Sequence, residues 1–356
     1  MNENNVLFVI EKMTSVDFKK IILDELETLH TQAKINKDRY RAQAYDKVIK
    51  QIATLPHVYT FSDLKTVTGI GERIRAKITE IFSTGHLQAA EEAKKAMSVY
   101  EPFLKIHKVG SDKAREIVDT YKITTIEQLR KSPWILNASQ QLGLKYYEDF
   151  LLKIPRDEMD THARFIYSMS SATDKDLKSI VVGSYRREAK MTGDIDVLVC
   201  QRRKIRRDGQ DSIFSRLIDN LKNAGYILDT LEQGEKRFLG VCHLSNGKSR
   251  RIDILMTTPE EYPYALLYFT GDRQFNIEMR KRAIELGYSL SEYGLKGAAS
   301  SNVLIERDIF TLLGIKYIEP RFRTGSAIVQ VNSNELRINE IYEQVIDRLI
   351  QQRCIE

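Results

Sequence analysis

Cysteine is scarce in this chain. The 356 residues hold three, Cys200, Cys242 and Cys354, far apart and in no CxxC spacing. That excludes a disulfide framework, argues against a zinc site and suits a reducing compartment. Long apolar runs are also missing. The opening stretch "MNENNVLFVIEKMTS" is mildly acidic, its apolar run is too short for a signal peptide or a membrane span, and no longer one follows. The expectation is a soluble, intracellular monomer with no membrane contact. Neither sign of charge dominates: 55 Lys+Arg against 49 Asp+Glu leave a formal +6. An excess this mild suits a polyanion partner such as nucleic acid without selecting one.

What is present is length and two kinds of periodicity. A chain of 356 residues exceeds one small core and predicts two to four compact units. From Val16 to Ala96 apolar residues recur at helical spacing, as in Phe18, Ile21, Ile22, Leu26 and Leu29. The chain breaks at Glu101-Pro102, and a second helical segment runs to "KIPRDEM", where a long helix starts around Pro155. From about Ile180 short β-branched runs take over, "SIVVG", "DIDVLVC", "RFLGVCHL" and "RRIDILM", with a helix "SIFSRLIDNLKNAGY" between the second and third. A mixed α/β piece spans Tyr264 to Arg323, and the tail carries Ile338, Ile341, Val345 and Leu349 on one helical stripe. That tail reads as a helix docked on its own protein or as the handle for a protein partner of unknown identity. The fold class is α+β, in five parts: all-helical 1–100, a second helical subdomain 101–154, a sheet-based unit 155–263, a mixed subdomain 264–325 and a helical extension 326–356.

Two glycine-bearing turns stand out in the helical part. In "VTGIGERIRAKI", Gly69 and Gly71 let the backbone turn tightly, and the helix that follows presents unpaired N–H groups and a positive dipole end. A phosphate is the natural occupant; an ordinary helix–turn–helix link is the competing reading. The plan recurs in "KIHKVGSDKAREIV", around Val109 and Gly110, with Lys108 where the first copy has Gly69. Two such hairpins can grip a nucleic-acid backbone without reading its sequence. Arg73 and Lys77, four apart, share a helix face beside the first.

The stretch "VVGSYRREAKMTGDIDVLV" puts Asp194 and Asp196 in an apolar run. In a strand Ile195, Val197 and Val199 take one face and both carboxylates the other. Asp253 in "SRRIDIL" repeats the pattern between Ile252 and Ile254. Like charges side by side call for a cation, and three carboxylates on neighbouring strands make a hard oxygen site for Mg²⁺, or Mn²⁺ in its place. Such sites commonly hold two ions about 3.5 to 4 Å apart and serve phosphoryl or nucleotidyl transfer. Gly183 and Ser184 offer a backbone N–H and a hydroxyl to phosphate oxygens, and Arg187 a charge-assisted bond. For a lone DxD, a salt bridge or a loop calcium site competes; the preceding Gly-Ser and the later aspartate favour the metal site.

"GSYRREAKMTGDIDVLV" and "RRIDI" resemble the nucleotidyltransferase palm of family X DNA polymerases, and "YFTGDRQFNIEMR" resembles the segment beside their nascent base pair. "TGIGERIRAKI", "LGLKYYEDFLLKIPRDEM", "GEKRFLGVCHL" and "KYIEPRFR" extend the resemblance over residues 16–323, to the beta and lambda types. The expectation is a minimal, beta-like version without a BRCT-like N-terminal extension and with a C-terminal addition. The resemblance implies a helix-hairpin-helix lyase-like domain, then fingers, palm and a closing subdomain. It assigns Asp194, Asp196 and Asp253 to the metals, with Asp253 promoting deprotonation of the primer 3′-hydroxyl, and Ser184, Arg187 and Gly193 to the triphosphate. Tyr268, Phe269 and Gly271 match the segment crowding the sugar 2′ position, Asn276 the contact to the incoming base, and Arg280 the contact to the template. Arg251 matches the arginine beside the third aspartate.

Lys77 matches the lysine that forms a Schiff base with an abasic sugar, and Tyr45 and Arg41 the contacts to the 5′-phosphate side of a gap. That chemistry needs a neutral amine, the state that a neighbouring cation such as Arg73 favours. Ala76 replaces the usual acidic neighbour and Tyr40 a histidine, departures that bear on lyase efficiency. The resemblance also implies a monovalent cation at the hairpins, gapped or nicked DNA and dNTPs as partners, and a nuclear or viral setting. At the nucleotide pocket Arg273 departs from the family pattern; it reads as a stacking or phosphate contact for the incoming nucleotide, or as a solvated side chain. Five cations within 202–207, in "QRRKIRRDG", read as a solvated loop, an import signal or a DNA contact.

Overall fold

Helix formation in the first hundred residues follows the apolar spacing. In the computed structural model, which describes residues 16–201, 213–245, 247–297 and 303–323, helix α1 (Lys19–Ile35) buries Ile22, Leu26 and Leu29 on one stripe. Asp38 accepts from the Arg41 amide at 3.0 Å and so starts α2 (Arg39–Thr54), which buries Val48, Ile49 and Ile52. Helix α3 (Glu72–Thr84) turns Ile74, Ile78 and Ile81 inward and ends on Gly85 in the left-handed conformation. With α4 (Gln88–Met97) these helices close one apolar core. After a break come α5 (Ser111–Arg115), which widens into a π turn over 116–120, and α6 (Ala138–Lys145). This first compact unit runs to Lys145, and the second begins at Tyr146.

The second unit is built on a five-stranded sheet. Helix α7 (Arg156–Thr173) starts directly after Pro155, whose fixed φ suits a helix entry. The strands are β1 (Leu177–Val181), β2 (Ile195–Gln201), β3 (Ile227–Gln233), β4 (Arg237–Cys242) and β5 (Arg250–Thr257), in the spatial order β1-β2-β5-β4-β3. Only β2 and β5 run parallel. Between β2 and β3 lies helix α8 (Ile213–Asn223), with Phe214, Leu217, Ile218 and Leu221 buried.

The alternation expected along the carboxylate strand is what the sheet shows. Ile195, Val197, Val199, Ile252 and Ile254 point into the main core with residues of α7 and α8. The opposite face carries Leu198 and Leu255, covered by Ala265 and Leu266 of α9 (Tyr262–Thr270). Strand β3 is absent from the four runs read off the sequence. It is an edge strand with one buried residue, and Asp229 and Glu232 break its apolar signal.

The remaining part packs α9, α10 (Arg273–Glu285), a hairpin of β6 (Ser289–Ser291) and β7 (Gly294–Lys296), and α11 (Glu306–Leu312) around Phe275, Met279, Ile309 and Phe310. No described helix is long and apolar enough to cross a membrane. The basic run 202–207 and the stripe of Ile338, Ile341, Val345 and Leu349 lie outside the described residues.

Candidate active site

The carboxylates come together through strand register. Asp196 and Asp253 are direct partners across the parallel pair β2–β5, and Asp194 lies two residues before Asp196, just ahead of the strand. Burial first, then the charges of Asp194 and Asp253, push the Asp196 carboxyl up to about 7. Arginines hold the other two. Arg251 donates to Asp194 Oδ2 at 3.0 Å, and Arg237 grips both oxygens of Asp253, Nε to Oδ1 at 3.1 Å and a terminal nitrogen to Oδ2 at 2.6 Å. Among the described residues no three His, Cys, Asp or Glu side chains form a ready-made metal cage. The donor chemistry still fits a hard divalent cation: three carboxylates, the charged form of one of them disfavoured by its surroundings, crowd one end of the sheet.

Glycine is required beside them. Gly183, with φ +57°, opens the short turn Gly183–Arg186, and a Cβ there would collide with the Asp196 carboxylate. The turn is tied to β2 by the Val182 amide, which donates to the Asp196 carbonyl at 2.8 Å. Ser184 is half-buried on this turn.

The two arginines that follow part ways. Arg187 donates to the Thr270 carbonyl at 2.5 Å; burial lowers its pKa, and the charges of Asp272 and Asp196 oppose that. Arg186 turns to Glu306 with two bonds of 3.0 Å, and Arg323 meets the same carboxylate at 2.6 Å. Two guanidinium groups hold the fully buried Glu306 carboxyl down to about 2 against the effect of burial.

The nucleotide-side residues gather around the α9–α10 turn. A Cβ on Gly271, φ +58°, would stand 3.5 Å from an Arg187 terminal nitrogen and 3.7 Å from Asn276 Nδ2. Asn276 Nδ2 donates to the Tyr268 carbonyl at 2.7 Å, and the Arg280 guanidinium lies 5.1 Å from the Tyr268 ring centre. Phe269 meets Tyr268 edge-on at 5.5 Å. Gly193 leaves room beside Lys153, whose Nζ would be 3.4 Å from an added Cβ. Arg273 is exposed at the first position of α10.

In the first unit both hairpins are braced by a glutamine. Gln51 accepts from the Thr68 amide and donates to the Thr68 carbonyl, both at 2.9 Å, holding the turn in which Gly69 has φ +93°. Gln140 of α6 donates to the Lys108 carbonyl at 2.9 Å, and Lys108 itself takes φ +58°. Gly143, one turn later, lets α6 approach, since a Cβ there would stand 2.8 Å from the His107 amide. Gly71 and Gly110 are the N-caps of α3 and α5, and Val109 is buried. Arg73 and Lys77 share the α3 face, and the charges of Arg41 and Arg73 act on the buried Tyr45 hydroxyl, whose pKa burial raises.

Sequence reasoning missed Arg237, Gln51, Gln140 and the Arg186–Glu306–Arg323 cluster. For Arg237 a signal existed: it stands two residues from Leu239, the register partner of Asp253, and so shares its face.

Comparison with known proteins follows the same order along the chain. Residues 19–87 match a helix-hairpin-helix domain, 101–151 the fingers domain of DNA polymerase lambda, 153–259 the DNA polymerase beta palm and 265–324 the DNA polymerase beta thumb. DNA polymerase lambda of Rattus norvegicus is 33% identical over 325 residues, covering 85% of this chain and 56% of the relative. The lambda enzyme of Arabidopsis thaliana is 27% identical over 318 residues, covering 81% and 59%. A DNA nucleotidylexotransferase of Xenopus laevis is 27% identical over 354 residues, covering 86% and 68%. The chain thus spans less than two thirds of either lambda protein. The palm and thumb matches carry the beta name, whereas these relatives, similar over most of the chain, carry lambda and nucleotidylexotransferase names, so the expected beta-like character is not what they show. Residues 19–324 thus match, in sequence order, the helix-hairpin-helix, fingers, palm and thumb domains and the architecture of family X DNA polymerases.

Proposed function

We propose that this protein is a gap-filling, DNA-directed DNA polymerase of the repair type, adding a deoxynucleotide to a primer 3′-end with release of pyrophosphate. The observation that carries this reading is the register pairing of Asp196 with Asp253, with Asp194 alongside and Gly183 packed against the Asp196 carboxylate. Asp194, Asp196 and Asp253 would hold two Mg²⁺ ions, with Mn²⁺ an acceptable substitute. Bound there, the ions supply positive charge that eases ionisation of the primer hydroxyl and offsets charge on the leaving pyrophosphate. Asp253 promotes removal of that hydroxyl's proton. Ser184, Arg187 and Gly193 receive the triphosphate, and Arg187 exchanges the Thr270 carbonyl for a phosphate oxygen. Tyr268, Phe269 and Gly271 crowd the sugar, Asn276 meets the incoming base, Arg280 the template, and exposed Arg273 steadies the nucleotide. Arg251 holds Asp194 in place.

A second activity belongs to the first unit. The Lys77 amine adds to the sugar aldehyde of a 5′-deoxyribose phosphate with loss of water, and β-elimination then releases the phosphorylated DNA end. Tyr45, Arg41 and Arg73 surround the 5′-phosphate, and the hairpins at Gly69–Gly71 and Val109–Gly110 grip the backbone, with a monovalent cation at their carbonyls.

The test is labelled dNTP incorporation on a gapped duplex bearing a 5′-deoxyribose phosphate, with borohydride trapping in the same tube. Incorporation lost in Asp253→Ala and an adduct lost in Lys77→Ala are expected; incorporation that survives Asp253→Ala overturns the polymerase reading. The likeness to a nucleotidylexotransferase favours one alternative, template-independent addition. Extension of a primer without template at a rate matching the gapped duplex would select it.

A further inference from the structure

The arginine on the third carboxylate is placed as a latch. Arg237 opens β4, on the sheet face that carries Asp253, and its planar guanidinium satisfies both carboxylate oxygens at 3.1 and 2.6 Å. An aspartate gripped at two points on both oxygens cannot present either of them freely to a cation. The grip is nonetheless easy to release, because the Arg237 side chain is 49% exposed while that of Asp253 is 16% exposed. Ion pairs open to water to this degree hold weakly, by about fivefold or less in an equilibrium constant. The guanidinium carbon also lies 5.9 Å from the Phe269 ring centre, so Arg237 stands where the sheet end meets the nucleotide-side helix α9.

We propose that Arg237 closes the site in the absence of DNA by holding Asp253, and that a phosphodiester of the bound DNA draws the guanidinium away and so frees Asp253 for the cation. The exchange replaces one bidentate anion by another, and a guanidinium fork fits carboxylate and phosphate oxygens alike. It makes DNA binding a precondition for strong metal binding, and metal binding, by reciprocity, favours DNA. Arg251 has a different part, since it touches one oxygen of Asp194 only. The latch rests on the reading of the triad as a metal site and of DNA as the substrate.

The test is the affinity of the full chain for Mn²⁺, followed by electron paramagnetic resonance, alone and with a gapped duplex whose primer ends in a dideoxynucleotide so that no chemistry occurs. Binding to the duplex alone is subtracted. In the wild type, DNA tightens Mn²⁺ binding. Arg237→Ala tightens Mn²⁺ binding without DNA by about threefold to fivefold, the worth of one half-exposed ion pair, and shrinks the further gain from DNA by a similar factor. Arg237→Lys, which keeps the charge and loses the fork, falls between. Lys236→Ala, which removes a neighbouring charge paired with Glu261 at 3.1 Å, leaves both quantities near the wild type. If Arg237→Ala behaves like Lys236→Ala, the latch is overturned while the metal site stands. If Asp253→Asn leaves wild-type Mn²⁺ binding unchanged, the metal-site reading fails and takes the latch with it.

Discussion

Asp196 and Asp253 are register partners on adjacent parallel strands, and the Cα of Gly183 is what fills the space beside the first of them. The carboxylate and the turn that faces it therefore share one fit. Gly183→Ala puts a methyl group into the Asp196 carboxylate from a backbone at φ +57°, where only glycine is free of strain. The expected outcome is a fall in nucleotide incorporation of at least a hundredfold, with a far-ultraviolet circular dichroism spectrum like the wild type. Near-normal turnover in this variant would show that the turn and the aspartate do not act together.

Glu306 is fully buried between two arginines, with bonds of 3.0 Å to Arg186 and 2.6 Å to Arg323. Arg323 is itself enclosed, its guanidinium carbon 5.3, 5.2 and 5.5 Å from the rings of Phe275, Phe310 and Tyr317. Removing the carboxylate leaves a buried cation, Arg323, facing a partly buried one, Arg186. Glu306→Gln should destabilise the second unit by about 3 to 5 kcal/mol, the usual cost of breaking a buried pair on one side. Denaturant unfolding followed by circular dichroism checks this, and a change below about 1 kcal/mol would refute it.

The elements legible in the sequence are those whose signal is local. Ile22, Leu26 and Leu29 declare α1 by spacing alone, and Ile195, Val197 and Val199 declare which face of β2 carries Asp196. What was hidden depends on partners far along the chain. The pairing of β2 with β5 skips β3 and β4, so the register that joins Asp196 to Asp253 comes from sheet topology. Arg186 and Glu306 are 120 residues apart, and consecutive arginines in "YRRE" do not reveal that one serves the core and the other the candidate phosphate site. Gln51 and Gln140 brace turns 17 and 32 residues away, and a polar residue in a helix carries no mark of that duty. The metal site and the phosphate-binding turns were legible in the residues themselves, the finer nucleotide and DNA roles entered through resemblance, and the geometry adds the contacts they would use.

Lys108 holds φ +58° in the second hairpin, at the position where the first hairpin has Gly69 with φ +93°. A side chain in the left-handed region costs about 1 kcal/mol, which glycine avoids. Lys108→Gly should therefore stabilise the first unit by about 1 kcal/mol, read from its denaturant midpoint through Trp134, which lies in that unit. A lower midpoint would mean that the Lys108 side chain contributes more than its backbone strain removes. The same variant should bind gapped DNA less tightly, with a shallower salt dependence, if the lysine meets a phosphate.

His162 sits in the palm core with no exposure, its Nδ1 sharing a 2.7 Å hydrogen bond with the Tyr226 hydroxyl. Burial pushes its pKa down to about 4; the Glu158 carboxylate, 3.6 Å away, opposes that, and Arg250 adds to it. Cys242, hydrogen-bonded to Tyr226, is held neutral by burial with its pKa near 12, so over the acid range it brings no charge to the cluster. The folded state thus keeps His162 neutral down to about pH 4, whereas the unfolded chain protonates it near 6.5. Between these values the unfolded state binds more protons, so stability falls as pH falls from 6.5 towards 4 and levels off below. The group alone accounts for a loss on the order of 3 kcal/mol over that window. His162→Gln is expected to be less stable than the wild type at pH 7, yet to lose about 2 kcal/mol less between pH 7 and pH 4.5, measured as denaturant unfolding of the second unit by circular dichroism. Parallel pH profiles for the two proteins would place the acid sensitivity of the palm elsewhere than in His162.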